Sequence, residues 1–141
     1  MTPSGPLLLA GGGHSHALLL KRWAMNPRLR PNRGVVLVNR PPTALYSGMV
    51  PGLIAGIYRR DELSLNLPHL CDRAGVAFVQ AEILGVDSQR QDLLLHERPA
   101  LSFGVLSLDV GAVTRNLEHL SGVPIKPLEE ALQFLSQQDP E

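Results

Sequence analysis

The sequence predicts an α/β domain built on a parallel sheet, and three observations support that prediction. A strand, a glycine turn, a helix and a second strand follow one another within about 33 residues, the length of a βαβ unit. Both predicted strands are continuously apolar, as expected of strands buried on both faces of a sheet. The later part of the chain changes to short apolar runs separated by turn residues, which is typical of a β-meander.

Local sequence signals predict each element of the opening βαβ unit. Pro6–Ala10 is predicted as the first strand because it is short, apolar and followed by glycines. The residues from His14 to about Met25 are compatible with a helix, which Asn26-Pro27 ends. Gly34 then leads into Val35–Val38, a β-branched run that favours a second buried strand.

A long shaped loop is predicted next, because the glycines and prolines of RPPTALYSGMVPGLIAGIY prevent a long regular element. One helical turn is expected within it at Leu53–Gly56. Residues 61–74 are predicted as a helix with Asp61 as its cap and Gly75 as its stop.

Short β runs and a final helix complete the predicted order of elements. Val76–Phe103 predicts a meander, and Val105–Val110 predicts a strand that returns to the sheet. A helix is expected from near Pro127, with one apolar face formed by Leu128, Ala131, Leu132 and Leu135.

Composition argues against several classes of protein. The 13 basic residues balance 13 acidic ones, so a nucleic-acid binder is not indicated. No apolar run approaches the roughly 18 to 20 residues that span a bilayer, and the N-terminus lacks the features of a signal peptide, so we expect a cytoplasmic protein. The single cysteine, Cys71, excludes an internal disulfide, and a small buried hydrophobe is its expected role rather than a nucleophile.

Residues 7–20, LLLAGGGHSHALLL, hold a variant of the GxGxxG fingerprint of dinucleotide-binding turns. Gly11 and Gly13 fill the first two positions, which make the tight turn and let the backbone approach a pyrophosphate at the helix N-terminus. His16 fills the third, where glycine normally lets the helix pack close to the strand, so its side chain would push the helix outward or point away. The motif indicates a nucleotide site, and a glycine-rich turn of an unrelated α/β domain stays open as the alternative.

The residue that ends the second strand is a further test of a nucleotide site. An acid normally stands there and accepts hydrogen bonds from ribose hydroxyls. Asn39 can still bond a hydroxyl but carries no charge, while Arg40 adds a positive charge that could accommodate phosphate. A simple turn formed by these two residues and the following prolines explains them equally well.

Other chemistries have less support. A Walker loop needs a lysine after the glycines, and His14-Ser15-His16 has none. Histidines two apart on a helix do not share a face, so no metal site is predicted. The serine between them lacks a GxSxG context and an acid partner, which argues against a hydrolase. A solvated surface is expected for the basic residues Lys21, Arg22, Arg28, Arg30 and Arg33.

Together these motifs resemble the FAD/NAD(P)-binding pyridine nucleotide-disulfide oxidoreductase superfamily, specifically its type II NADH dehydrogenase-like branch. They are most similar to the flavoprotein domain found alone or fused ahead of selenide, water dikinase. The resemblance covers nearly the whole chain through GGGHSHALLLKRWAMNP, YSGMVPGLIAGIY, AGVAFVQAEILGVD, LSLDVG and VPIKPLEEAL, and a histidine at the third fingerprint position is normal in that branch. It implies a Rossmann-like, three-layer FAD/NAD(P)-binding domain with a parallel sheet and a small β-meander.

The resemblance also implies cofactor contacts, and it implies neither a catalytic residue nor a metal. The residues that would cradle the FAD pyrophosphate are Gly11, Gly12, Gly13 and His14. Those that would meet the adenosine ribose are Asn39 and Arg40, although Asn39 departs from the usual acid. The remaining contacts are Tyr46, Ser47 and Gly48 near the flavin, the backbone of Ala81 and Glu82 near adenine, and Asp109 with Gly111 near the pyrophosphate turn.

Members of this family are longer than the present chain. The resemblance implies that residues 1–122 are the N-terminal part of an FAD-binding domain, incomplete here, and that residues 123–141 lead toward an NAD(P)H domain. In the full enzyme hydride would pass from NAD(P)H to FAD and then to an acceptor that the sequence does not identify. The isolated chain is expected to be inactive.

Two rival hypotheses stay open. The first is a non-catalytic nucleotide-binding or regulatory module that dimerises through the C-terminal helix or partners a selenophosphate-forming kinase. The second is a methyltransferase-like Rossmann domain that uses the same glycine turn for S-adenosylmethionine, which the meander and the YSGMVPG loop fit less well.

Overall fold

A computed structural model describes residues 4–112 and 128–138 of the chain. The chain divides into two units, one of Met1–Ala44 with Ser64–Val110 and the other of Leu45–Leu63 with Gly111–Glu141, and each is described by itself. The domain boundary predicted between residues 122 and 123 lies outside the described residues.

The helices and strands follow the predicted alternation. In chain order they are β1 (Leu7–Ala10), α1 (His14–Met25), β2 (Val35–Asn39), β3 (Thr43–Leu45), α2 (Val50–Ile54), β4 (Ser64–Asn66), α3 (Leu67–Ala74), β5 (Ala77–Gln80), β6 (Ile83–Asp87), β7 (Asp92–Leu95), β8 (Arg98–Ser102), β9 (Val105–Leu108) and α4 (Leu128–Gln138). Short 3-10 turns cover Pro27–Leu29, Ser47–Met49 and Arg60–Leu63.

The first unit is organised by a parallel sheet with the strand order β5-β2-β1-β9. Leu9 of β1 lies opposite Leu37 on one side and Ser107 on the other. The predicted α/β class and parallel sheet are therefore confirmed. The meander is shorter than predicted and consists of β6, β7 and β8, because β5 pairs in parallel with β2 and belongs to the main sheet.

A separate layer covers each face of this sheet. Side chains alternate along a strand, so each strand directs apolar residues to both faces. Leu9 points into a core that the helices complete, and their main contributions are Leu20 and Trp23 of α1 and Leu67 and Cys71 of α3. Leu8 and Ala10 point into a second core, which the meander completes with Leu93 and Leu95. Helices, sheet and meander form the three layers that the resemblance implied.

The helix predicted over residues 61–74 begins later than expected. Asn66, not Asp61, caps α3, and its side chain accepts a hydrogen bond from a first-turn N–H at 2.9 Å. Pro68 follows within the first turn, where its missing N–H removes no helical bond. Gly75 ends the helix as predicted, with a left-handed φ of 67°.

The second unit contains α2 and α4. The helical turn predicted at Leu53–Gly56 lies slightly earlier, in α2, because Pro51 favours the first turn of a helix. On α4, Ala131 and Leu132 of the predicted apolar face are buried, whereas the side chain of Leu135 lies outside the described residues. Within residues 4–112 and 128–138, no helix has the length and hydrophobicity that a membrane span requires.

Cys71 is expected to be unreactive in the native protein. Its side chain is buried in the helix-side core, and this burial raises the pKa of the thiol from 9.0 to about 11 because the thiolate would lose its hydration. Maleimide labelling at neutral pH should therefore require denaturant, in which one thiol per chain should react. Rapid labelling of the native protein would contradict this expectation.

The raised pKa of the Cys71 thiol makes the free energy of unfolding depend on pH. The folded protein holds the thiol proton more tightly than the unfolded chain does, so this contribution to the free energy of unfolding is full below pH 9.0 and is lost as the pH rises toward about 11.

Candidate nucleotide-binding site

The carboxyl ends of the four parallel strands surround a cleft of about 370 Å³. Its lining comes from the loops after β1, β2, β5 and β9 and from the meander, namely Gly11, Asn39, Arg40, Ala81, Ile83, Leu84, Gly85, Val86, Leu108 and Val110. The strand order reverses here, because β1 has β2 on one side and β9 on the other. Such a switch point is where open α/β sheets bind ligands.

The ladders on both sides of β1 continue up to the glycine turn. Gly11 N–H donates to Val38 O at 2.8 Å, and Asp109 N–H donates to Ala10 O at 2.8 Å. Gly11 has a φ of 96°, a conformation that favours glycine, and a Cβ added to it would lie under 3.0 Å from the Asp109 backbone. The first fingerprint glycine is therefore required by both its conformation and the close approach of β9.

Asn39 holds the glycine turn through its side chain. Gly12 N–H donates to Asn39 Oδ1 at 2.8 Å, and Asn39 Nδ2 donates to Pro41 O at 3.0 Å. A carboxylate could accept the first bond but could not donate the second, which accounts for an amide at this position. These bonds give Asn39 a role in the turn, and its contact to ribose stays a prediction.

Asp109 lies over the glycine turn with both backbone and side chain. Gly13 N–H donates to its carbonyl oxygen at 3.3 Å, and His16 N–H donates to its Oδ2 at 3.1 Å. The N-cap residue of α1 is Gly13, which has no side chain. Asp109, directly after β9, provides the carboxylate that an aspartate at the N-cap would provide locally. A Cβ on Gly13 would lie under 3.0 Å from this carboxylate. The second fingerprint glycine is therefore needed here to leave space for the Asp109 side chain.

His16 bridges α1 and β9 from the third fingerprint position. The residue is 3% exposed, with Nδ1 at 2.7 Å from Gly11 O and Nε2 at 2.8 Å from Ser107 Oγ. A carbonyl oxygen only accepts, so Nδ1 carries a proton, and the hydroxyl of Ser107 can donate to Nε2 of the neutral ring. The expectation that this side chain points away is wrong, because the small, polar Ser107 gives the ring both space and a partner.

Neither the contact of Ser107 nor the capping role of Asp109 was predicted from the sequence. A signal was present, because Ser107 is a single hydroxyl in the otherwise apolar strand β9. Nothing in the sequence, however, shows that this strand lies beside β1 rather than beside β5, and that neighbour relation creates both contacts.

The other residues implied as cofactor contacts are divided between the two units. His14 begins α1 and is exposed, while Arg40 Nη1 and Glu82 Oε1 form an exposed ion pair at 3.9 Å. Ala81 is buried and donates its N–H to Asn39 O at 3.1 Å. Four residues belong to the second unit: Tyr46, Ser47, Gly48 and Gly111. Among the described residues, no three His, Cys, Asp or Glu side chains form a metal-binding cluster.

No protein-family model and no curated protein sequence matches the chain, whereas several solved structures do. The sulfide:quinone oxidoreductase from the hyperthermophilic bacterium Aquifex aeolicus matches with a TM-score of 0.68 and 13% identity over 96% of this chain and 33% of that one. The water-forming NADH oxidase from Lactobacillus brevis, bound to NADH, matches with a TM-score of 0.64 and 15% identity. The match covers 96% of this chain and 33% of that one. The covalent putidaredoxin reductase–putidaredoxin complex matches with a TM-score of 0.61 and 19% identity. The match covers 84% of this chain and 28% of that one.

The chain spans about a third of the length of these three proteins or less. At these identities the likeness shows the fold alone, and the chain shares the Rossmann-like fold of these three proteins. The fold that the sequence resemblance implied is confirmed.

Proposed function

We propose that this chain is the FAD-binding portion of a flavin-dependent NAD(P)H oxidoreductase and that its cleft receives the adenosine half of FAD. The observation that carries the proposal is a cleft of about 370 Å³ beside the glycine turn, at the switch point of the sheet. Pockets for small molecules commonly measure roughly 300 to 1,000 Å³, so this volume suits a nucleoside rather than a whole dinucleotide.

The chemistry of the cleft also suits adenosine. Leu84 and Val86 of the meander and Leu108 at the end of β9 offer apolar surface to a base. Gly85 leaves space in the same wall, since a Cβ added there would have no atom within 4 Å. Arg40 adds a cation at the polar edge, and α1 directs its N-terminus, the end that favours phosphates, toward the glycine turn.

Bound FAD would supply the hydride chemistry, and the described residues would bind and orient it. Asn39 and Asp109 hold the turn in one conformation before any ligand arrives. The meander leucines would exclude water from the base. The flavin contacts of Tyr46, Ser47 and Gly48 and the turn contact of Gly111 are further parts of the proposal. So are the use of NAD(P)H and the transfer of electrons to an acceptor.

The alternative of a non-catalytic module that dimerises through α4 needs an exposed apolar face on that helix. Ala131 and Leu132 of that helix are 9% and 5% exposed, whereas Phe134 is 40% exposed. The exposure of α4 therefore favours neither hypothesis.

Replacing Leu84 by glutamate is expected to prevent flavin retention, whereas the same change at Leu94 is not. Both are exposed leucines of the meander, but only Leu84 lines the cleft, and a carboxylate there would have to be desolvated against the base. Each protein would be mixed with FAD and desalted, and the flavin absorbance and the dissociation constant measured. We expect a loss of at least about tenfold in affinity for Leu84→Glu, equivalent to 1.4 kcal/mol.

Two results would contradict the proposal. One is a wild-type protein that binds neither FAD nor adenosine, and the other is an equal loss of affinity in both variants. Binding of S-adenosylmethionine in place of FAD would instead support the methyltransferase-like hypothesis.

A further inference from the structure

Asp109 places a negative charge where the proposed site would receive a second one. Its Oδ2 accepts from His16 N–H at 3.1 Å at the N-terminus of α1. That end of a helix carries the positive part of the helix dipole and binds ligand phosphates in dinucleotide-binding folds. The carboxylate is close enough to Gly13 that both its oxygens would lie under 3.0 Å from a Cβ on that residue.

Four backbone donors at the turn, the N–H groups of the three glycines and of His16, are already used inside the protein. Gly11 N–H donates to a carbonyl of β2, Gly12 N–H to the Asn39 amide at 2.8 Å, and Gly13 N–H to the Asp109 carbonyl at 3.3 Å. Together with the bond from His16, these contacts engage four N–H groups that face the turn. A phosphate could take one of these donors only by displacing an acceptor that belongs to the protein.

We propose that Asp109 is a specificity-determining residue that opposes the binding of ligand phosphate at the glycine turn, so that the cleft recognises its ligand mainly through the nucleoside. The inference rests on the proposed nucleotide-binding function. Two negative charges within a few ångströms repel each other strongly at the edge of a protein, where the effective dielectric constant is far below that of water. The same carboxylate caps α1, so it stabilises the empty turn while it weakens phosphate binding.

The test compares adenosine, ADP and FAD by calorimetry on the wild-type protein and on Asp109→Asn. The asparagine keeps the size and one acceptor oxygen for His16 N–H but removes the charge. Asp72→Asn is the matched control because it also removes one negative charge. Asp72 is exposed near the C-terminus of α3, which leads into the amino end of β5, whereas the glycine turn lies at the carboxyl ends of the strands. We expect ADP and FAD to bind Asp109→Asn about tenfold more tightly, with adenosine unchanged and the control indistinguishable from wild type.

Salt provides a second readout that a purely structural role would not move. The gain in ADP affinity should shrink at about 1 M salt, because the Debye length falls from roughly 10 Å at 0.1 M to roughly 3 Å. If Asp109→Asn does not fold, as judged by circular dichroism, Asp109→Ser keeps a neutral capping hydroxyl and carries the same expectation.

The two ways of failing are distinguishable. If adenosine binds but ADP binds the neutral variant no more tightly than it binds wild type, the inference is overturned and the nucleotide site stands. A lower Tm of Asp109→Asn with an unchanged ratio of ADP to adenosine affinity would show that Asp109 only caps α1. That result would also overturn the inference. If none of the three ligands binds any of the proteins, the proposed function fails and the inference falls with it.

Discussion

Replacing Gly11 by alanine is expected to lower the free energy of unfolding by about 3 kcal/mol or more. The φ of 96° is strained for any residue with a Cβ, and the added atom would meet the backbone of Asp109. That backbone cannot retreat easily, because its N–H is bonded to Ala10 O and its carbonyl accepts from Gly13 N–H. A loss of this size is a large share of the roughly 5 to 15 kcal/mol that stabilises a typical domain.

The matched control for this change is Gly34→Ala. Gly34 precedes β2, and the nearest heavy atom to a Cβ there is Pro6 Cβ at 3.8 Å, an ordinary van der Waals contact. Urea unfolding followed by circular dichroism should therefore show a much lower midpoint for Gly11→Ala and little change for Gly34→Ala. Equal midpoints for the two variants would show that the turn yields and that the close approach of β9 is not a constraint.

Replacing His16 by glycine, which restores the fingerprint GxGxxG, is expected to destabilise the protein by about 3 kcal/mol. The change removes a buried ring, leaves Gly11 O and the Ser107 hydroxyl without their partner, and introduces a glycine into α1. The glycine alone costs about 1 kcal/mol in a helix interior. The usual residue at this position would therefore be the wrong one for this protein.

His69→Gly controls for the cost of a helical glycine, because His69 is an exposed residue of α3. A double-mutant cycle with Ser107→Ala then isolates the side-chain pair. We expect Ser107→Ala to cost measurable stability in the wild-type background and much less in the His16→Gly background. Additive losses, or a His16→Gly variant as stable as wild type, would show that the ring does not depend on Ser107.

Much of the fold could be predicted from the sequence because it is encoded locally. The strand, turn and helix at the start of the chain depend on neighbouring residues: apolar runs, Gly11 at a positive φ and the Asn26-Pro27 stop. The start of α3 was misplaced for a local reason too, since Asn66 and Pro68 together are a stronger N-terminal signal than Asp61.

The site was less predictable because its contacts join distant parts of the chain. Asn39 meets Gly12 across 27 residues, whereas Ser107 meets His16 across 91. Which strand neighbours β1 decides the second contact, and periodicity indicates only that a segment is a strand. The glycines were therefore recognised as a turn, and a turn role for Asn39 was one of two interpretations. The capping bond of Asp109 and the contact of Ser107 with His16 were missed.

Strand β9 has a consequence for when the binding turn can form. Asp109 is bonded to residues near the start of the chain, and its bond to His16 closes a loop of 93 residues. Closing a loop of that length is slow compared with forming a helix or a hairpin, because the chain entropy is lost before the contact repays it. The glycine turn of the nascent chain therefore has no cap until almost the whole first unit has been synthesised. Because Leu108 and Val110 also line the cleft, nucleoside affinity in this protein would report that the first unit has folded, even though the fingerprint itself emerges among the first residues.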